Sequence, residues 1–415
     1  MHQKPTTSEV SILPQSDCPS WVVRLCFVAT LFVSVRLPGL GLLTVGVLPA
    51  LLILRWTTSV ARPHRRLLTL AGAALISGSI LLAFLEPPVG TPGPLYSSLA
   101  IALWMLTLPA LGFAVCLALS TSSRPALLLS LSIAGGIASE LFDEGVTSNL
   151  WKYSVGYGIC ALALLLLRPK KIISIVVIVA VLSIVCVRNE SRSIILMLIA
   201  SALSVILLRV VANVSRRTRT LLIGGSGLVA AIVLVWAMSS GALGGDLQRR
   251  YDQQAGTAGN VIAGGRVETQ AARALVEQRW YGYGLGAEAS GSTRRYAVEA
   301  VEASGGDYTS PYFRSVILGE RADLHSGISN LWFHGGFGGI ALFVGLAWVI
   351  ILGLTSSARY VASSVGLAFL MWFGLWDLLF SPIQISDHVS LALGIALWLG
   401  SPRSVDEPGR AMSIG

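Results

Sequence analysis

Charge is what this chain has least of. Only 12% of its 415 residues are Asp, Glu, Lys or Arg, about half the roughly 25% of a soluble domain. Hydrophobic residues make up 54% and the mean hydropathy is +0.72. That balance excludes an ordinary water-soluble fold and points to a polytopic membrane protein built as one bundle. Cysteine is sparse too. Cys18, Cys26, Cys116, Cys160 and Cys186 lie in or beside apolar runs. None falls in the long polar segment described below, so that segment is expected to fold without disulfides. No Asp-x-Asp pair occurs anywhere, which argues against a metal clamp on a diphosphate. The first twenty residues are polar and show no cleavable-signal pattern. The net charge of +9 does not argue for nucleic acid, because basic residues in such a chain mostly mark cytoplasmic loops.

What is present is a series of apolar runs. A span needs about 20 mostly apolar residues. Spans are expected near 21–36, 39–55, 67–85, 95–119, 126–141, 153–167, 172–187, 193–211, 220–240, 330–354, 360–380 and 383–400. This makes an all-α integral membrane protein of about twelve transmembrane helices. Loop charge alternates with that count. One set of loops holds Arg55, Arg62, Arg65 and Arg66; Arg124; Arg168, Lys170 and Lys171; Arg209, Arg216, Arg217 and Arg219; and Arg359. The opposite short loops carry few bases. The alternation places both termini inside. The expected organisation is a cytoplasmic tail (1–20), a bundle of about nine helices (21–240), an extracytoplasmic loop (241–329), about three more helices (330–400) and a second cytoplasmic tail (401–415).

The loop at 241–329 is too long for a simple connection, which rarely exceeds about 12–15 residues. It holds nine arginines and ten acids. From Arg266 onward Val267, Ala271, Ala274 and Leu275 fall on one helical face, and Arg273 and Glu277 are spaced as an i,i+4 pair. The helix runs into Trp280-Tyr281-Gly282-Tyr283-Gly284-Leu285-Gly286. Glycines at alternate positions permit turns a side chain would block. With aromatics between them they suit close approach to a sugar or polyisoprenyl phosphate. A second helix is expected from Thr293 to Ser304, stopped by Gly305-Gly306. The loop closes on Asp323-Leu324-His325-Ser326-Gly327, with Asn330 just beyond; Asp323 is placed to orient the His325 ring.

One short outward turn, Arg188-Asn189-Glu190-Ser191-Arg192, runs against the orientation signal. It reads either as an interfacial cap, with an arginine paired to Glu190, or as an anion site at the outer mouth of the bundle. Arg36 would lie at the same face, as a snorkelling end residue or a member of that site. Asp387-His388 opens the last span, where an ionisable residue is functional by default.

At these residues the chain resembles the O-antigen ligase and polymerase family of bacterial membrane glycosyltransferases. The resemblance covers the span number, the outward loop before the third-last span and three local patterns. These are Ser191-Arg192-Ser193 opening a span, Gly265-Arg266 opening a helix that runs into Trp280 and Gly284-x-Gly286, and His325 before a span with Gly335-Gly336-Phe337-Gly338-Gly339-Ile340. The family often carries Asn directly after the histidine; here Ser326 stands there, which leaves the subgroup open. The resemblance implies a bundle like that of lipid-dependent membrane glycosyltransferases in a bacterial cytoplasmic membrane. It implies Arg192, Arg266 and His325 as the catalytic residues. Arg188, Arg36, Trp280, Gly284, Gly286, Asp323, Asn330 and Asp387 are the candidates for substrate binding. The implied partners are a polyprenyl diphosphate-linked glycan donor, a glycan, lipid or protein acceptor, and the bilayer, with no cofactor and no metal. A polysaccharide polymerase would use the same donor. Outside the family, a transporter or flippase and a non-catalytic scaffold compete, although no half-to-half similarity is visible and the ionisable residues gather at one face.

Overall fold

The computed structural model describes the backbone of 34–37 and 41–44 and, between 105 and 400, chiefly residues 108–143, 155–210, 215–252, 267–284, 291–304, 323–356, 364–381 and 387–400. Most of the expected spans before residue 105, and both tails, lie outside the described residues. The exception is an antiparallel hairpin of β1 (Ser34–Leu37) and β2 (Gly41–Thr44), with Arg36 opposite Leu42. Its second strand occupies residues expected to begin the helix at 39–55. Extended backbone there follows from Pro38 and Gly39 between the strands, which favour a turn over helix.

The other described elements are helical. In chain order they are α1 (Pro125–Asp143), α2 (Gly156–Leu167), α3 (Ile172–Arg188), α4 (Arg192–Val210), α5 (Arg216–Ser239), α6 (Val267–Gln278), α7 (Gly291–Ala303), α8 (Gly327–Ser356), α9 (Val365–Phe380) and α10 (Asp387–Leu399). A helical stretch over Leu108–Ser120 precedes them. Three helices among the described residues are long and apolar enough to cross a membrane: Arg192–Val210, Arg217–Ser239 and Gly327–Thr355.

Helix α9 is the centre of the bundle. It packs against α2, α4, α8 and α10, and small residues let those backbones approach. Gly366 meets Leu165 of α2, and Gly374 meets Ala392 and the His388 carbonyl of α10. Two helix starts are capped by the serine that precedes them. Ser215 accepts from the Thr218 N–H, and Ser364 from the Leu367 N–H. The contacts fix which helix ends lie together. Arg209 donates to the carbonyls of Pro169 and Lys170, Arg219 donates to the Thr355 carbonyl, and Gly366 lies at Leu165. That end of the bundle holds Arg209 and Arg219. The opposite end therefore gathers the α3–α4 turn, the start of α8, the end of α9 and the start of α10.

Helix α8 is not the single straight span expected at 330–354. Gly336 adopts φ +55° and ψ −135°, which breaks it in two. Only glycine takes that conformation without strain. The bend is so tight that a Cβ at Gly339 would collide with the Leu331 carbonyl. A break frees carbonyls from their normal i+4 donors, and the loop supplies replacements. The N–H groups of Tyr283 and Gly284 both donate to the Phe333 oxygen, at 2.8 and 3.1 Å. The Trp332 indole N–H donates to the Trp280 carbonyl at 2.8 Å.

The loop has its own core. Ala271 and Leu275 of α6, Ala297 and Val301 of α7, and Tyr283, Phe313, Ile317 and Leu324 pack on Trp332 and Phe333 of α8. The expected apolar face of α6 is thus the buried one, and Arg273 and Glu277 pair on its solvent side at 2.8 Å. Helix α7 falls one to two residues from its expected bounds.

This docking depends on Gly282, at φ +96°. A Cβ there would lie 2.6 Å from the Trp332 oxygen and 2.7 Å from Gly336 Cα. Gly284, at φ +103°, has open space in the same direction. Gly282→Ala is expected to destabilise by about 2–5 kcal/mol, the left-handed penalty plus overpacking. Gly284→Ala should cost only the backbone penalty, about 1–2 kcal/mol. Thermal unfolding of the purified protein checks the order, and equal losses at the two positions would refute the docking role of Gly282.

Candidate functional site

The short segment entering α8 is built to hold one histidine. Ser326 caps the helix, accepting from the Ser329 N–H at 3.4 Å and donating to the Leu379 carbonyl at 2.7 Å. Gly327 sits so tightly on the Leu378 carbonyl that a side chain there would collide with it. These contacts pin the start of α8 to the last turn of α9. Upstream, buried Asp323 accepts from the His325 backbone N–H at 2.9 Å and from the Asn330 side-chain amide at 2.8 Å. The Asn330 oxygen accepts the Leu324 N–H at 2.7 Å. His325 itself stands at φ +51°. A left-handed residue with a side chain costs about 1–2 kcal/mol, and the Asp323–Asn330 clamp offsets it. Strain of this kind, over-determined by neighbours, clusters at functional sites.

Asp323 thus holds His325 by its backbone N–H, because the left-handed turn brings that N–H to the carboxylate. Asn330 uses its side chain on Asp323 and Leu324 and so sets the loop.

A second histidine lies at the same end. His388 in α10 places Nδ1 2.6 Å from the Asp377 carboxylate of α9. Asp377 also accepts from the Ser381 hydroxyl at 2.7 Å and is buried. The imidazole packs against the Tyr157 ring at 4.0 Å and the edge of Phe373 at 5.2 Å. Asp377 stands one residue before Leu378, on which Gly327 rests. The last turn of α9 is therefore shared by both histidine sites. The signal for Asp377 was available: it is the only ionisable residue in its apolar run, and such residues mark function or a partner.

The α3–α4 turn lies at this end as well. Asn189 donates its side-chain amide to the Val185 carbonyl at 2.9 Å, Ser191 donates to the Asn189 carbonyl at 3.2 Å, and Glu190 takes φ +57°. These bonds close the turn between helices that already pack together. Arg188 is exposed at the end of α3, and Arg192 is half-buried as the first residue of α4.

Other candidates fall differently. Arg266 and Gly286 lie outside the described residues; α6 starts directly after Arg266. Asp387 opens α10, and its side chain lies outside the described residues. Arg36 is placed only by its backbone, in β1. The approach that Gly282 permits is to the chain's own α8, while the Trp280 side chain is exposed. One loop arginine not singled out from the sequence is buried here. Arg279 places its guanidinium 5.2 and 5.5 Å from the Tyr281 and Tyr283 ring centres. Burial pushes the Tyr283 hydroxyl up to about 12, against the pull of Arg279, so it stays protonated and donates to the Leu275 carbonyl. No group of three His, Cys, Asp or Glu that could hold a metal ion occurs among the described residues.

No protein-family model matches the chain, and no curated protein matches it.

Proposed function

We propose that the chain is a membrane glycosyltransferase of the O-antigen ligase type, working on the outer face of a bacterial cytoplasmic membrane. The observation that supports it most is the left-handed His325 held by Asp323 and Asn330, at the bundle end that also carries Arg188 and Arg192. In this reading the acceptor hydroxyl attacks the anomeric carbon of a polyprenyl diphosphate-linked glycan. The new C–O bond forms as the bond to the diphosphate breaks. His325 takes the hydroxyl proton. The lipid diphosphate leaves with its charge held by Arg192 and Arg266, since guanidinium groups stay charged and grip phosphate oxygens bidentately. Both termini then lie in the cytoplasm, as loop charge implies.

Transfer measured with a purified lipid-linked glycan tests this. Arg192→Ala and Arg266→Ala are each expected to cost at least about 10²-fold, the loss typical of one removed transition-state donor, while the protein still inserts. Full activity in either variant removes that arginine from the mechanism. One attachment per acceptor marks a ligase, and a ladder of lengths marks the polymerase reading.

The buried Asp377–His388 pair favours a second reading, a proton-coupled transporter, because paired ionisable groups inside a bundle serve as proton relays. Proteoliposomes separate the two. Solute or lipid uptake driven by a pH gradient, without glycan transfer, would replace the enzyme reading.

A further inference from the structure

Past the Gly336 break, α8 has two unlike faces. Leu342, Leu346, Val349 and Ile350 are buried in the bundle, whereas Phe337, Val344 and Trp348 are 58, 55 and 51% exposed. These three recur at i, i+7 and i+11, one stripe of a helix apolar enough to cross a membrane. An exposed apolar stripe on such a helix suits lipid. At its upper end the stripe does not stop. Trp280, 63% exposed, packs edge-on against Phe337 with ring centres 5.2 Å apart. Val276 near the end of α6 is exposed too, next in sequence to Glu277 of the Arg273–Glu277 pair. Trp280 belongs to the polar loop, yet its side chain prolongs the exposed apolar stripe of α8.

We infer that Trp280, stacked on Phe337, is an interfacial anchor that seats the loop subdomain in the bilayer at the boundary of headgroups and acyl chains. Indole suits that layer, having an apolar body and one N–H donor. The backbone of the anchor is already fixed, because the Trp280 carbonyl is held by the Trp332 indole within the loop core. The anchor would hold His325 at a constant height above the membrane. The occupant is lipid rather than a glycan, because the surface is continuous with the stripe of α8. The inference rests on α8 being a membrane helix and not on the transfer chemistry.

A photo-reactive p-benzoylphenylalanine placed at position 280 tests it in the full chain with its native cysteines. The protein is reconstituted in vesicles of phosphatidylethanolamine and phosphatidylglycerol containing no polyprenyl lipid. Position 348 serves as the lipid-facing reference, and position 296 as the solvent-facing one, since Tyr296 is exposed on α7 of the same subdomain. Irradiation is expected to give phospholipid adducts at 280 and 348 at similar yield, several-fold above 296, by mass spectrometry of the protein. A yield at 280 no higher than at 296, with 348 labelled, overturns the anchor. In the unlabelled chain, Trp280→Phe is expected to leave the loop as protease-resistant in vesicles as in wild type. Trp280→Asp is expected to expose it several-fold faster, and equal resistance of the two variants also overturns the proposal.

Discussion

His325→Asn is expected to reduce glycan transfer by about 10²–10⁴-fold, the contribution of one positioned general base, without unfolding the loop. The choice of asparagine matters. His325 stands at φ +51°, and Asn tolerates the left-handed region far better than Ala. Asp323 accepts the backbone N–H at position 325, which asparagine keeps, so Asp323 and Asn330 retain those bonds in the variant. Loss of activity in His325→Asn would then be loss of the imidazole. His325→Ala adds about 1–2 kcal/mol of backbone strain and confounds the two effects. Initial rates on a purified lipid-linked glycan, alongside thermal unfolding, decide it. An asparagine variant with wild-type rates would show that the histidine has no chemical part and that its strain is merely structural.

Asp377→Leu is expected to be among the most damaging single substitutions in the bundle. It leaves the His388 Nδ1 without its 2.6 Å partner among Tyr157 and Phe373. An orphaned neutral group costs about 1–3 kcal/mol, and half of a broken buried ion pair about 3–5 kcal/mol. The double variant Asp377→Leu/His388→Phe should recover most of that loss, since the imidazole is no longer stranded, a ring still fills the aromatic pocket, and the half-buried Ser381 hydroxyl that also loses Asp377 can turn to solvent. Interhelical hydrogen bonds in membranes average only about 0.6 kcal/mol by double-mutant cycles. A coupling above about 1 kcal/mol would therefore mark this pair as more than ordinary glue between helices. Thermal unfolding of the four proteins in one detergent measures it. Simple additivity would show that the two side chains do not act together.

Much of the architecture could be read from the residue pattern. The apolar runs at 172–187, 193–211 and 220–240 end within a few residues of α3, α4 and α5. The face of Ala271, Ala274 and Leu275 is buried as its spacing implies. Local periodicity encodes which side of a helix is apolar, and that needs no knowledge of the partner. The glycines were legible only as freedom. The glycine run at 335–339 gave no sign that a break at Gly336 would free Phe333 to accept from Tyr283 and Gly284.

The amino-acid order alone showed runs apolar enough to cross a membrane, the bounds of α3, α4 and α5 to within a few residues, and two helices within the polar loop. Tertiary structure decided that Asp323 grips the His325 backbone N–H, that Trp280 joins the outer stripe of α8, and that Asp377 meets His388. Each of those is a meeting between different elements. Composition and spacing specify the faces a helix presents, whereas the partner of a buried polar group depends on which helix ends the packed bundle brings together.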